Sequence, residues 1–325
     1  MVPSSYVLPF RSSSNPSREF IEYVNRLAEV LEVVLVDGSP DAVFDAVDRD
    51  CGAMVWHLRP HAKFDRLRNG KVRGVLTGLL MASHELVILA DDDVRYTEAN
   101  LREVLHALQK ADLVRPQNYF EPLSWHARVD TARTLINRMT GGDWPGTLAV
   151  RRSTLERTGG YDGNVLFENL ELVRTVQSAG GVAICPLDLF IQRLPPSTQH
   201  YTSQRVRQAY DEFARPLRLV VALAGLPVLT LLIATGHFRW VLGLFVLAPI
   251  VIAEAGRRRD QGARVFPFSS ALCAPLWVLE RAICSWLALA TRAVLGGIPY
   301  SGGVVTTAAH STLALAQRQQ RREHA

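Results

Sequence analysis

At 325 residues the chain is long enough to bury a sizeable core, and it accommodates one catalytic domain plus something smaller. Its formal net charge of +5 is carried by basic residues that gather beside apolar runs beyond position 200, which suits an anionic membrane surface and argues against nucleic acid. The four cysteines make no C-x-x-C pair and the nine histidines no clear metal-ligand spacing, so neither a zinc site nor a disulfide framework is expected.

The N-terminal residues lack a basic start followed by an apolar run of signal-peptide length and lead straight into an expected strand at 6–10. The catalytic part is therefore expected in the cytoplasm. Asn15-Pro16 is expected to cap a helix over 18–31, whose apolar Phe20, Ile21, Val24, Leu27, Val30 and Leu31 recur at helical spacing. Strands are expected at 32–36 and 53–57, a helix at 72–82, a strand at 86–90, and a helix capped by Thr97 running to about Leu108. Further strands are expected at 112–115 and 147–150. This alternation predicts an α/β domain with a mostly parallel central sheet, placed at residues 1–215.

After Pro216 the composition changes. Residues 219–235 are uncharged and reach the lower end of the roughly 17–25 residues that cross a bilayer. Residues 240–253 read as a return helix, so 216–256 is expected to form a transmembrane hairpin; a buried hairpin of a soluble protein is the alternative. Arg215, Arg218 and Arg257-Arg258-Arg259 flank the pair on one side, which places both ends at the cytoplasmic face of the cell membrane. In residues 257–325, the stretch 272–295 carries Arg281, Ser285 and Arg292 near one helical face. A helix lying in the interface is expected there, with a third span as the alternative and a basic tail at 318–322.

The strand expected at 86–90 runs into Asp91-Asp92-Asp93. Ligands of open α/β sheets bind beyond the carboxyl ends of the strands. Three adjacent carboxylates repel unless a cation neutralises them, and Asp91 and Asp93 can share one hard ion, Mg²⁺ or Mn²⁺, that also takes diphosphate oxygens. Taken alone, the triplet also reads as a solvated turn capping the next helix. Another expected strand, 32–36, ends in Asp37-Gly38, where Asp37 could accept from a nucleobase imide or a ribose hydroxyl, or else simply starts a turn. Asn69-Gly70-Lys71 opens the helix before the acidic strand, and Lys71 and Arg73 there would offset leaving-group charge.

Together these features resemble the GT-A fold of family 2 glycosyltransferases over roughly residues 5–215. The matching residues are Leu8-Pro9-Phe10-Arg11, Val36-Asp37-Gly38-Ser39, Asn69-Gly70-Lys71, the acidic triplet, the stretch from Gly146 to Arg152, and Gly159-Gly160-Tyr161-Asp162. The resemblance implies a nucleotide-sugar donor held by Pro9, Asp37, Lys71, Asp91 and Asp92, with the metal on Asp91 and Asp93. The family's acidic pair, whose aspartate is taken to deprotonate the acceptor, falls here at Glu168-Asn169. Asn169 cannot act as a base, so Glu168 or Glu171 would substitute, or an acceptor that is already ionised would need none. Gln204-Arg-Val-Arg207 resembles the Gln-x-x-Arg-Trp motif of ceramide-glucosyltransferase-like and processive members, with Gln208 in place of tryptophan. Just before an apolar segment, it implies inverting transfer to a lipid or polyprenyl acceptor at the membrane. A non-catalytic relative is the first rival reading. A nucleotidyltransferase is the second, disfavoured because Arg11-Ser-Ser-Ser-Asn-Pro16 contains no glycine.

Overall fold

The computed structural model describes residues 2–300 and 303–323. In chain order the elements are β1 (Ser4–Phe10), α1 (Arg18–Ala28), β2 (Glu32–Asp37), α2 (Asp41–Asp50), β3 (Val55–Leu58), α3 (Gly70–Met81), β4 (Leu86–Ala90), β5 (Val94–Arg95), α4 (Glu98–Leu108), β6 (Leu113–Val114), β7 (Gln117–Phe120) and α5 (Trp125–Arg138). They continue with β8 (Thr147–Arg151), α6 (Arg152–Thr158), α7 (Glu168–Ser178), β9 (Ala183–Ile184), β10 (Phe190–Arg193), α8 (Thr198–Tyr210), α9 (Pro216–Ala234), α10 (Phe238–Val241) and α11 (Ala248–Arg258). The last are α12 (Phe268–Leu272), α13 (Ala274–Leu295), β11 (Ile298–Tyr300), β12 (Gly303–Val305) and α14 (Thr312–Glu323). They group into two compact units: Met1–Pro116 with Pro145–Ile184 and His310–Ala325, and Gln117–Trp144 with Cys185–Ala309. Residues expected in a single 1–215 domain are thus shared between the units, and the C-terminal residues belong to the first.

The first unit is built on a seven-stranded sheet of order β3-β2-β1-β4-β8-β6-β9. β1 to β4 run parallel, and β8 is antiparallel to both its neighbours. Val33, Val34, Leu35 and Val36 are all at most 1% exposed, the continuous apolar run of a strand covered on both faces. The register pairs Phe10 with Asp37 and Val7 with Leu89, so β1, β2 and β4 finish at the same edge of the sheet. α3 lies against β1 through Gly74 and Gly78; a Cβ at Gly78 would come within 2.2 Å of Val7 and one at Gly74 within 2.7 Å of Pro9. This close approach brings the first turn of α3 to the edge where β1 ends. The cap of α1 differs from expectation: Ser17 Oγ, rather than Asn15, accepts from the Phe20 amide at 3.2 Å. A serine two residues nearer the helix is in reach of that orphan donor.

In the second unit β7 and β10 pair in parallel, and α5 provides Val129, Ala132 and Leu135 to a core shared with Ala253, Phe266, Ala271, Ala274 and Trp277. α9 and the Phe238–Arg264 stretch are long and apolar enough to cross a membrane, and no residue of α9 is buried. The return helix expected at 240–253 consists of α10, a π-helical turn at Leu242–Leu247, and α11.

α13 covers the stretch expected to lie in the interface; of its expected polar face, Arg281 and Ser285 turn inward while Arg292 is exposed. Arg281 and Ser285 are buried, while Leu276, Leu279, Ile283, Trp286, Leu287 and Val294 are exposed. Helical spacing marks a polar face; neighbouring helices decide whether that face is wet. Arg205 is likewise buried and bonded to Asp130 at 3.3 Å and Glu280 at 2.9 Å. Arg215 pairs with Glu212 at 3.0 Å, and its burial lowers its pKa to about 10.

Candidate active site

β4 ends at Ala90, and Asp91 follows at the edge where β1 and β2 also finish. Its amide donates to the Gly146 carbonyl at 2.8 Å, and its own carbonyl accepts from Val94 at 3.1 Å. The second bond closes a tight turn that carries the partly buried Asp91 and Asp93 with the exposed Asp92 between them.

Asn69 caps α3, its side-chain oxygen accepting from the amides of Lys71 at 3.0 Å and Val72 at 3.3 Å. Lys71 therefore starts the helix next to the acidic turn. Its Nζ lies 2.6 Å from Asp91 Oδ1 and 2.9 Å from Glu168 Oε1. Burial would lower the lysine pKa, but the two carboxylates outweigh it and raise the value, so Lys71 is held as the cation. Arg73, expected beside it, pairs instead with Asp65 and is turned to that side.

Glu168 is the first residue of α7 and Asn169 the second. The Asn169 side chain donates from Nδ2 to the Pro145 carbonyl at 2.9 Å, fixing it against the loop that enters β8. Pro9, Lys71, Asp91, Gly146, Tyr161 and Asn169 line one small cleft. Of the residues expected at the site, the structure thus gathers Pro9, Lys71, Asp91, Glu168 and Asn169. Glu171, the other substitute base, is buried and turned away: His310 donates to it from Nδ1 at 2.8 Å and from its backbone amide at 2.7 Å.

Asp37 ends β2 as expected, with its side chain fully buried. Oδ1 accepts from the Ser39 amide at 2.7 Å, an Asx-type turn, and Oδ2 lies 3.2 Å from His57 Nε2. His57 Nδ1 reaches Asp48 at 2.9 Å. Burial works against both charges, but these hydrogen bonds prevail, holding Asp37 below and His57 above their ordinary values. His57 carries no motif; only its place at the end of β3, next to β2 in the sheet, identifies it.

Gln204 and Arg207 lie in the second unit on one face of α8. Gln204 Oε1 accepts from Arg207 at 3.0 Å, and the guanidinium stacks 4.5 Å from the Tyr300 ring centre.

Carboxylate oxygens on a tight turn are the hard donors that Mg²⁺ and Mn²⁺ accept. Asp91, Asp92 and Asp93 put several such oxygens on one turn, a donor set whose chemistry fits a divalent cation. Asp162, Glu171 and His310 also gather closely enough to hold an ion, but there the cationic place belongs to Arg318, 3.2 Å from Asp162 and 3.0 Å from His310.

Residues 5–154 match the family model described as glycosyl transferase family 2. No curated protein matches the chain. Among solved structures, the mannosyltransferase PcManGT from Pyrobaculum calidifontis, in complex with GDP-Man and Mn²⁺, is similar at 19% identity and a TM-score of 0.52, over 87% of this chain and 86% of that one. Mannosyl-3-phosphoglycerate synthase from Rubrobacter xylanophilus matches at 15% identity and a TM-score of 0.42, over 62% and 70%. TarS 1-349 from S. aureus, in complex with UDP-GlcNAc, matches at 14% and 0.43, over 62% and 61%. At this identity the Pyrobaculum enzyme shows a shared fold.

Proposed function

Residues 5–154 form a family 2 glycosyltransferase domain and the chain is a glycosyltransferase; from that premise we propose that it transfers a sugar from a nucleotide-sugar donor, with inversion, to a lipid or polyprenyl acceptor at the cytoplasmic face of the cell membrane. The observation that carries this reading is the Lys71 bridge between Asp91 and Glu168 at the carboxyl edge of the parallel strands. It joins the acidic turn expected to face the donor diphosphate to the residue expected to face the acceptor.

Asp91 and Asp93 would hold Mg²⁺ or Mn²⁺, which when bound supplies positive charge to the diphosphate oxygens. The GDP-Man and Mn²⁺ of the Pyrobaculum mannosyltransferase support that pairing of ligands. Lys71, kept cationic by its carboxylates, adds positive potential beside the leaving group without reorganising. Glu168 takes the acceptor proton as the acceptor oxygen attacks the anomeric carbon from the face opposite the diphosphate. Asn169 orients the acceptor. On the sequence motif alone, Arg207 is assigned to offset charge on the departing nucleoside diphosphate and Gln204 to hydrogen-bond it. Pro9 lines the same cleft and Asp92 is assigned to the donor by the motif alone, whereas Asp37, buried against Ser39 and His57, has no carboxylate oxygen turned to a ligand. A membrane hairpin over 216–256 is part of the same proposal, supported by the two apolar helices.

The test uses full-length protein in bilayer discs with Mn²⁺, a panel of nucleotide sugars and a membrane lipid extract, with mass spectrometry of the organic phase. A lipid species gaining one sugar residue is expected. Sugar found only as hydrolysed monosaccharide or on water-soluble acceptors would overturn the lipid acceptor.

A further inference from the structure

His310 opens the last segment of the chain, far in sequence from the acidic turn, yet it is pinned to one turn of α7. Both oxygens of the fully buried Glu171 accept from it, and Arg174 donates to its carbonyl at 2.7 Å. A buried carboxylate is costly unless its lone pairs are filled; here one residue fills both oxygens. Arg318, one helical stretch later in α14, donates to His310 Nε2 at 3.0 Å. Because a guanidinium only donates, Nε2 must be the acceptor and the ring proton sits on Nδ1, the atom that donates to Glu171.

The same Arg318 reaches Asp162 at 3.2 Å. Asp162 begins a turn in which its carboxylate accepts from the Asn164 amide at 2.8 Å. That turn holds the start of α3: Gly163 accepts from the Asn69 amide at 2.9 Å, Asn164 from the Arg68 amide at 3.1 Å, and Val165 from the Asn69 side chain at 3.4 Å. The C-terminal segment therefore grips both partners of the central ion pair, α7 with Glu168 through Glu171, and α3 with Lys71 through Asp162 and Asn69.

We propose that His310 is a positioning residue of the catalytic unit, and that with Arg318 it makes the C-terminal segment a strap that sets Glu168 and Asn169 against Lys71. The proposal rests on the sugar-transfer reading for its catalytic consequence, while the clamp itself stands on the hydrogen bonds. A shift of about 1 Å at a reacting group costs on the order of 10²-fold in rate, so loosening α7 acts on turnover more than on donor binding.

The experiment compares full-length parent, His310→Ala, His310→Asn and Arg318→Ala by steady-state kinetics with Mn²⁺ and by amide hydrogen exchange of residues 168–178. His310→Ala is expected to lower kcat by about 10-fold or more with donor KM within about twofold of the parent, and to speed exchange in α7. His310→Asn, whose amide donates from nearly the position of Nδ1, should recover most of both. Unchanged exchange in His310→Ala would overturn the clamp; faster exchange with unchanged kcat would overturn its role in positioning. If the parent turns over no donor, the sugar-transfer reading and this catalytic role fall together, and the exchange result alone decides the clamp. If His310→Ala does not fold, Arg318→Ala carries the same expectations, because it removes the group that sets the histidine tautomer.

Discussion

A lysine between two carboxylates is held protonated by their field, and its burial makes the charge costly to leave unpaired. That is the position of Lys71, and it explains why Glu168 rather than Glu171 faces the acidic turn: the cation at the start of α3 attracts the carboxylate at the start of α7. Asp37 and His57 form a second charged pair in the same unit, with a different signature. The Asp37 contribution to stability is present above its unfolded value of 3.8 and is lost in stronger acid. The raised His57 value makes its contribution complete below 6.5 and progressively lost as pH rises through the folded value. His57→Gln should therefore destabilise the protein by about 1–3 kcal/mol at pH 5.5 and by clearly less at pH 8.5, read from urea unfolding at both pH values. An equal or larger loss at pH 8.5 would contradict a charged pair. Asp91 and Lys71 were legible from local pattern, a strand running into acids and an asparagine before a helix. The pairing of Lys71 with Glu168, or of Asp37 with His57, was not, because partners 97 and 20 positions apart meet only through the sheet and carry no local periodicity.

At the level of elements, α9 contains a proline in its interior, and Pro227 has no amide to give the carbonyl of Leu223 one turn earlier. Trp286 of α13 supplies the missing donor, its indole N–H lying 3.0 Å from that oxygen. In an apolar setting an orphaned carbonyl is costly, so the contact ties α9 to α13. Trp286→Phe is expected to cost about 1 kcal/mol with Pro227 present and almost nothing with Pro227→Ala, where the helix can satisfy its own carbonyl. A double-mutant cycle on thermal unfolding in detergent checks this, and additive effects would contradict it. Elements with a cap or a long apolar run were readable in advance: Thr97 caps α4 as expected, accepting from the Asn100 amide at 3.2 Å, and α9 begins at Pro216. The inward turn of Arg281 and Ser285 in α13 was not readable, since they have the same spacing whether they meet water or α5 and α8. Nor was the strap of α14 against α7, whose mostly polar sequence looks like a solvated tail.

The whole chain combines a parallel-sheet unit carrying the acidic turn with a unit that exposes α9 and the apolar side of α13. Exposed apolar area on that scale is unusual for a protein surrounded by water and suits a lipid phase. The order of the chain joins the two, since the sheet unit is interrupted at residues 117–144 and completed only by the last segment. Donor chemistry at the acidic turn is the claim on which the acceptor and the catalytic role of the strap depend. It is tested most directly by the rate of nucleoside diphosphate release from a panel of nucleotide sugars, measured on full-length protein with Mn²⁺ and after chelation, for the parent and for Asp93→Asn. Metal-dependent release that falls by about 10²-fold or more on chelation and on Asp93→Asn is the predicted result; release at the same rate in the variant, with or without metal, would contradict the account.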